Sequence, residues 1–114
     1  MSPPGARVAR LDAAGNRRLF LVTEKRGAAW DPSRQRREQD GWHEHAVFMD
    51  ALAADGFVVF GGPFGDETDV LLVCDAPDED AVRARLADDP WLGGILEIAS
   101  VQRWTILLDG RAAR

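Results

Sequence analysis

The sequence predicts an α+β domain in which one antiparallel sheet carries two helices on a single face. Three observations predict it. Apolar runs too short for helices, LFLVT (Leu19 to Thr23), FVVF (Phe57 to Phe60) and VLLVC (Val70 to Cys74), read as buried strands. The second and third of these are separated by a short Gly- and Pro-containing segment, as in a hairpin. Two stretches of helical character flank that pair, and 114 residues leave room for a single core.

Residues 1 to 16 contain Pro3, Pro4, Gly5 and Gly15 with little periodicity and are expected to be a flexible lead-in, the domain occupying residues 17 to 110. Leu19 to Thr23 is the first strand. Glu24 to Gln39 is polar, with Gly27, Pro32 and three arginines, so it is expected to be a long loop. Asp40 is placed to cap a helix over about Gly41 to Asp55, in which His45, Phe48, Met49 and Leu52 recur at i, i+3, i+4 and i+7. Gly56 stops it. Phe57 to Phe60 and Val70 to Cys74 form the hairpin, with Gly61, Gly62 and Pro63 opening its turn. Acids at Asp78, Glu79 and Asp80 start a second helix that runs to about Asp88, where Pro90 ends it. Ile95 to Leu108 supplies the last strand material.

The resulting order, β-α-β-β-α-β, is the ferredoxin-like arrangement. Its helices cover one face of the sheet. FVVF and VLLVC are apolar on both sides, so a second subunit is the simplest cover for the other face and a homodimer is expected.

Hydrophobic residues make up 46% and charged residues 29% of the chain, an ordinary globular balance. A net charge of −5 repels phosphate backbones and anionic bilayers, so neither nucleic acid nor membrane is expected as a partner. Apolar runs fall well short of the roughly 18 residues of a membrane-spanning helix, and the opening segment lacks a signal-like stretch, so a cytoplasmic location is expected. The lone Cys74 has no partner for a disulfide and reads as a buried strand residue.

Trp42-x-x-His45-x-x-Phe48-x-x-x-Leu52-x-x-x-Gly56, Gly61-Gly62-Pro63-Phe64, Asp89-Pro90-Trp91 and Val101-x-x-Trp104 follow one another on successive elements. In this the chain, from residue 19 to 108, resembles the YCII-related family. The resemblance implies a dimeric α/β barrel, two such sheets packed face to face with a cleft beside each. It also implies a site made by a histidine on the first helix and an aspartate before the proline that follows the second, which fall here on His45 and Asp89. The segment Gly27 to Gly41 is longer than in the shortest relatives, so their substrates do not transfer.

The residues support that pair on their own chemistry. His45 shares an apolar stripe, where a satisfied core histidine is the ordinary alternative. Asp88 and Asp89, however, stand at a helix C-terminus, where negative charge is unfavourable by about 0.3 to 1 kcal/mol, and broken local rules gather at functional sites. A carboxylate beside an imidazole fixes its tautomer and strengthens it as a base. No serine or cysteine is placed to complete an acyl-transfer triad, so proton transfer of the elimination or isomerisation type fits best. A binding module without turnover and a purely structural pair are the alternatives. Trp42 and Trp91 are candidate pocket walls, Gly61, Gly62 and Pro63 a candidate backbone cradle, and Arg34, Arg36 and Arg37 a candidate clamp for a carboxylate. His43 points away from His45, and the remaining acids are scattered, so no metal is expected. Nor is a cofactor: neither histidine sits in a heme motif.

Overall fold

The computed structural model describes Leu11 and residues 15–111; the expected lead-in lies, apart from Leu11, Gly15 and Asn16, outside the described residues. Four strands, β1 (Arg17–Arg26), β2 (Val58–Phe64), β3 (Asp69–Cys74) and β4 (Leu96–Ile106), and two helices, α1 (Trp42–Ala54) and α2 (Glu79–Leu86), follow in the order β-α-β-β-α-β. The sheet runs β2-β3-β1-β4 with every neighbouring pair antiparallel. This is the ferredoxin-like α+β arrangement.

Alternation along β1 divides the molecule into two sides. Phe20 and Val22 point toward the helices and join Leu72, Cys74, Leu52 of α1, and Val82 and Leu86 of α2 in the main core. Full burial of a residue such as Leu86 contributes about 1.5 to 3 kcal/mol. Leu19 and Leu21 point the other way, opposite Trp104 and Val73 respectively, with Phe60 continuing the row on β2. Neither helix covers that second face, and Phe60 and Trp104 remain exposed on it.

Three local expectations are corrected. β1 runs three residues past Thr23, which puts Glu24 inside a strand, opposite Val70 on one side and Ile98 on the other. Gly61, Gly62 and Pro63 form no turn; they pair with Leu72, Leu71 and Val70, and the chain reverses at Gly65 and Glu67, both with positive φ (64° and 67°). β2 lies at the sheet edge, where Pro63 is tolerated because no outer strand needs its missing N–H. The start of α1 is set by Gly41 at φ 75° and not by the Asp40 side chain, which pairs with Arg34 at 3.1 Å.

The loop between β1 and α1 is held from within. Gln39 is buried, its Nε2 donating to the carbonyls of Asp31 (2.7 Å) and Arg34 (3.0 Å) while its Oε1 accepts from the Asp31 N–H (2.9 Å). Gly27 and Ala29 donate to the Ile95 and Gly94 carbonyls, so the loop is clamped to the segment that follows α2. That clamp brings the loop's Trp30 against Trp91.

Candidate functional site

α1 turns His45 toward the sheet because His45, Phe48, Met49 and Leu52 lie on one stripe, and its side chain is 11% exposed. Its Nδ1 stands 2.8 Å from Asp89 Oδ1. α2 stops earlier than expected, at Leu86, and Asp89 follows in a turn in which its N–H donates to the Leu86 carbonyl at 3.0 Å. Its Oδ1 also accepts the Trp91 N–H (2.9 Å), an Asx turn that fixes the carboxylate. An ionised carboxylate only accepts, so the Nδ1 proton points to Asp89 and Nε2 is left as the basic nitrogen of the ring.

Tryptophans hold the imidazole in place. Trp91 stacks on it with ring centroids 4.0 Å apart and planes 8° from parallel, while Trp42 leans against both rings at 5.6 to 5.8 Å. Trp91 is itself tied to the start of α1, its Nε1–H donating to the Asp40 carbonyl at 2.7 Å. The α1 start, the Asp-Pro-Trp turn and the loop through Trp30 thus fix one another.

In front of His45, between α1 and the sheet, lies a cavity of about 290 Å³, at the small end for ligand sites. Trp42, Gly61, Gly62 and Pro63 line it together with His45. Asp89 and Trp91 do not; they stand behind the imidazole. Of the three candidate arginines, Arg36 reaches the cavity, its guanidinium also donating to the Glu67 carbonyl at 3.2 Å. Arg34 is paired with Asp40, and Arg37 lies over the Trp42 ring. His43 is exposed on the far side of α1.

A cavity residue that the apolar run on β1 did not reveal is Glu24. It is 2% exposed, and its Oε2 has no hydrogen-bond partner among the described residues. Burial, reinforced by the charge of Asp89 and opposed by Arg36, pushes its carboxyl up to about 7. The signal was present as alternation, since Phe20, Val22 and Glu24 occupy one face if the strand is allowed to continue. Cys74 offers no nucleophile, because burial and then the Glu24 charge push its thiol up to about 12. Among the described residues no three histidine, cysteine or acidic side chains gather to hold a metal ion, and no helix is long and apolar enough to cross a membrane.

No curated protein matches the chain. The family model of the YCII-related domain matches residues 19–105, from β1 to within one residue of the end of β4, and with that extent of match the chain belongs to the YCII-related family.

Proposed function

We propose that the protein is a small-molecule enzyme in which His45 acts as a general acid or base and Asp89 positions it, in an elimination or isomerisation type of proton transfer. The observation that carries this reading is the 2.8 Å bond from Nδ1 to Asp89 beside a cavity that His45 lines. The bond supports the Nδ1–H tautomer, stacking on Trp91 holds the ring plane, and Nε2 is the nitrogen that remains for a ligand. A ligand-binding module would use the same cavity but has no need of a fixed tautomer, which is why turnover is favoured.

In this reading the protein works as a homodimer in the cytoplasm. The second copy covers the sheet face that carries Phe60 and Trp104, completing the barrel expected of the family, and a reducing compartment keeps buried Cys74 a thiol.

Deuterium incorporation tests the chemistry while the substrate is still unidentified. The protein is incubated in heavy water with pooled small polar metabolites, and mass spectrometry reads which compounds gain mass. At least one should exchange with wild type and none with His45→Ala. An exchanging His45→Ala protein whose only defect is a lowered melting temperature would make the pair structural and the enzyme reading wrong.

A further inference from the structure

The His45–Asp89 pair leaves Glu24, a buried acid of the same cavity, unused. Glu24 lies on the helix-facing side of β1, almost wholly buried, with an unpartnered Oε2, and lines the same cavity as His45. The two stand on different walls, Glu24 on the strand floor and His45 on the helix above it. Around Glu24 and its cavity, the charged or titratable groups among the described residues are Asp89 after α2, Arg36 in the loop, His45 and Asp50 on α1, and Cys74 on β3. β2 contributes Val58, Gly61 and Pro63, and β4 contributes Leu96 to the cavity wall, all apolar or without a polar side chain. Among the described residues no hydrogen bond to Oε2 accounts for the burial of this carboxyl.

We propose that Glu24 is the proton donor of this cavity, opposed to His45, and that the ligand is a small 2-oxo acid whose carboxylate is taken by Arg36. The proposal rests on His45 being the base. Three requirements select the ligand class. Arg36 spends one N–H on the Glu67 carbonyl and retains donors that fit a carboxylate. Glu24 in its acid form needs an acceptor oxygen, and His45 Nε2 needs a carbon acid within reach. A 2-oxo acid bearing hydrogen on its third carbon supplies all three, and its short-chain members suit a cavity of about 290 Å³.

The step balances without any further reactant. Nε2 takes a proton from the third carbon, and the C–H pair becomes the carbon–carbon double bond. The carbonyl π pair moves onto its oxygen, which takes the proton from Glu24. The products are an enol, an imidazolium held by Asp89, and a Glu24 carboxylate; return of a solvent-exchanged proton from the imidazolium to carbon, with the enol proton going back to Glu24, closes the cycle. A carboxyl that titrates at about 7 is suited to give and retake a proton near neutrality.

The test uses the full chain in heavy water with pyruvate, 2-oxobutyrate and 2-oxohexanoate as probes, proton NMR reading loss of the third-carbon signal and calorimetry reading binding. Exchange is expected with wild type. Glu24→Gln should keep binding within a few-fold and slow exchange by about 10²-fold, the lower range for loss of a positioned acid. Arg36→Met should weaken binding about tenfold or more, and His45→Ala should bind without exchanging. If Glu24→Gln does not fold, as judged by its melt, Glu24→Met, of similar length and without a proton to give, takes its place and must show the same loss. Wild-type exchange in the Glu24 variant overturns the donor role while leaving His45 standing. Undiminished exchange in His45→Ala overturns the base instead. Failure of all three probes to bind at about 10 mM, well above a millimolar Kd, or binding without exchange in wild type, overturns the ligand class and the donor role together.

Discussion

Beneath α1 the chain buries groups that favour water, whereas on the opposite face of the sheet it exposes groups that avoid it. His45, Asp89 and Glu24 are all within 9% exposure, and two of their oxygens, Asp89 Oδ2 and Glu24 Oε2, have no hydrogen-bond partner among the described residues. Phe60 and Trp104, by contrast, are 57% and 43% exposed. Isolated apolar side chains on a surface are ordinary; a buried unpaired carboxyl oxygen and a connected apolar row are not. The two regions therefore ask for different completions. The first leaves carboxyl oxygens without a hydrogen bond among the described residues, and the second leaves apolar area in water.

The largest expected effect breaks the first region. His45→Ala should lower turnover on an identified substrate by about 10²- to 10⁴-fold, with Asp89→Asn giving a smaller loss and an altered pH profile, because it acts through the tautomer and not on the substrate. Steady-state kinetics against pH, alongside melts, separate the roles. A loss of stability without a kinetic defect would mean that the polar pair serves only the fold.

Next in size is a break in the second region. Phe60→Glu combined with Trp104→Glu places charge on the open face and should weaken self-association by about 100-fold, near 3 kcal/mol. Light scattering at several concentrations reads it. A wild-type chain that stays monomeric would rule out a second copy as the cover of the exposed row.

Glu24 sharpens the contrast through pH. In the folded chain its carboxyl titrates at about 7, against a reference of 4.5, so between those values the fold holds a proton that the unfolded chain has lost. Stability from this group is fully present below about pH 4.5 and falls as pH rises through 7, by up to about 3 kcal/mol. Urea unfolding of wild type and Glu24→Gln at pH 5 and pH 8 should show the difference between the two pH values shrinking in the variant. Equal differences in both proteins would mean that Glu24 is hydrated and not held in a dry wall.

What the sequence revealed of this site follows from how local each signal is. The stripe through His45 follows helix periodicity and the acid ahead of Pro90 stands out by breaking a local charge rule, both visible within a few residues, and the two side chains that the family resemblance paired lie 2.8 Å apart. Glu24 was hidden because an apolar run ends at the first polar residue, whereas a strand ends only where pairing does; β1 keeps pairing with β4 as far as Arg26. Gly61 to Pro63 misled in the opposite sense. Gly and Pro punctuate turns, but here they belong to an edge strand, and at Gly61 a Cβ would come within 2.7 Å of Leu72 Cδ2, so the missing side chain lets β2 lie close. Trp91 has the aromatic character of a pocket wall, yet its Nε1 bond to Asp40 and its stack on His45 place it behind the ring. Such contacts depend on which elements meet in three dimensions, and no residue pattern within one element carries them.

The smallest expected effect concerns the joint that supports the polar region. Gly41 precedes α1 at φ 75°, its carbonyl accepts the His45 N–H at 3.0 Å, and a Cβ there would touch Trp91 Nε1 at an ordinary 3.5 Å. Space is therefore not the constraint; backbone conformation is. Gly41→Ala should destabilise by about 1 to 2 kcal/mol, the penalty of a left-handed conformation for an L residue, while Gly41→Asn should recover part of it because asparagine visits that region more readily. Thermal melts of the two variants read the difference. The distinction bears on the site because the first turn of α1 aims His45 at Asp89: a chain that resists the left-handed turn loosens the stack on Trp91 before it unfolds. Indole fluorescence of Gly41→Ala should shift accordingly, with Gly41→Asn closer to wild type. If alanine and asparagine prove equally harmful, φ is not the cause, and contact of the new side chain with Trp91 must be.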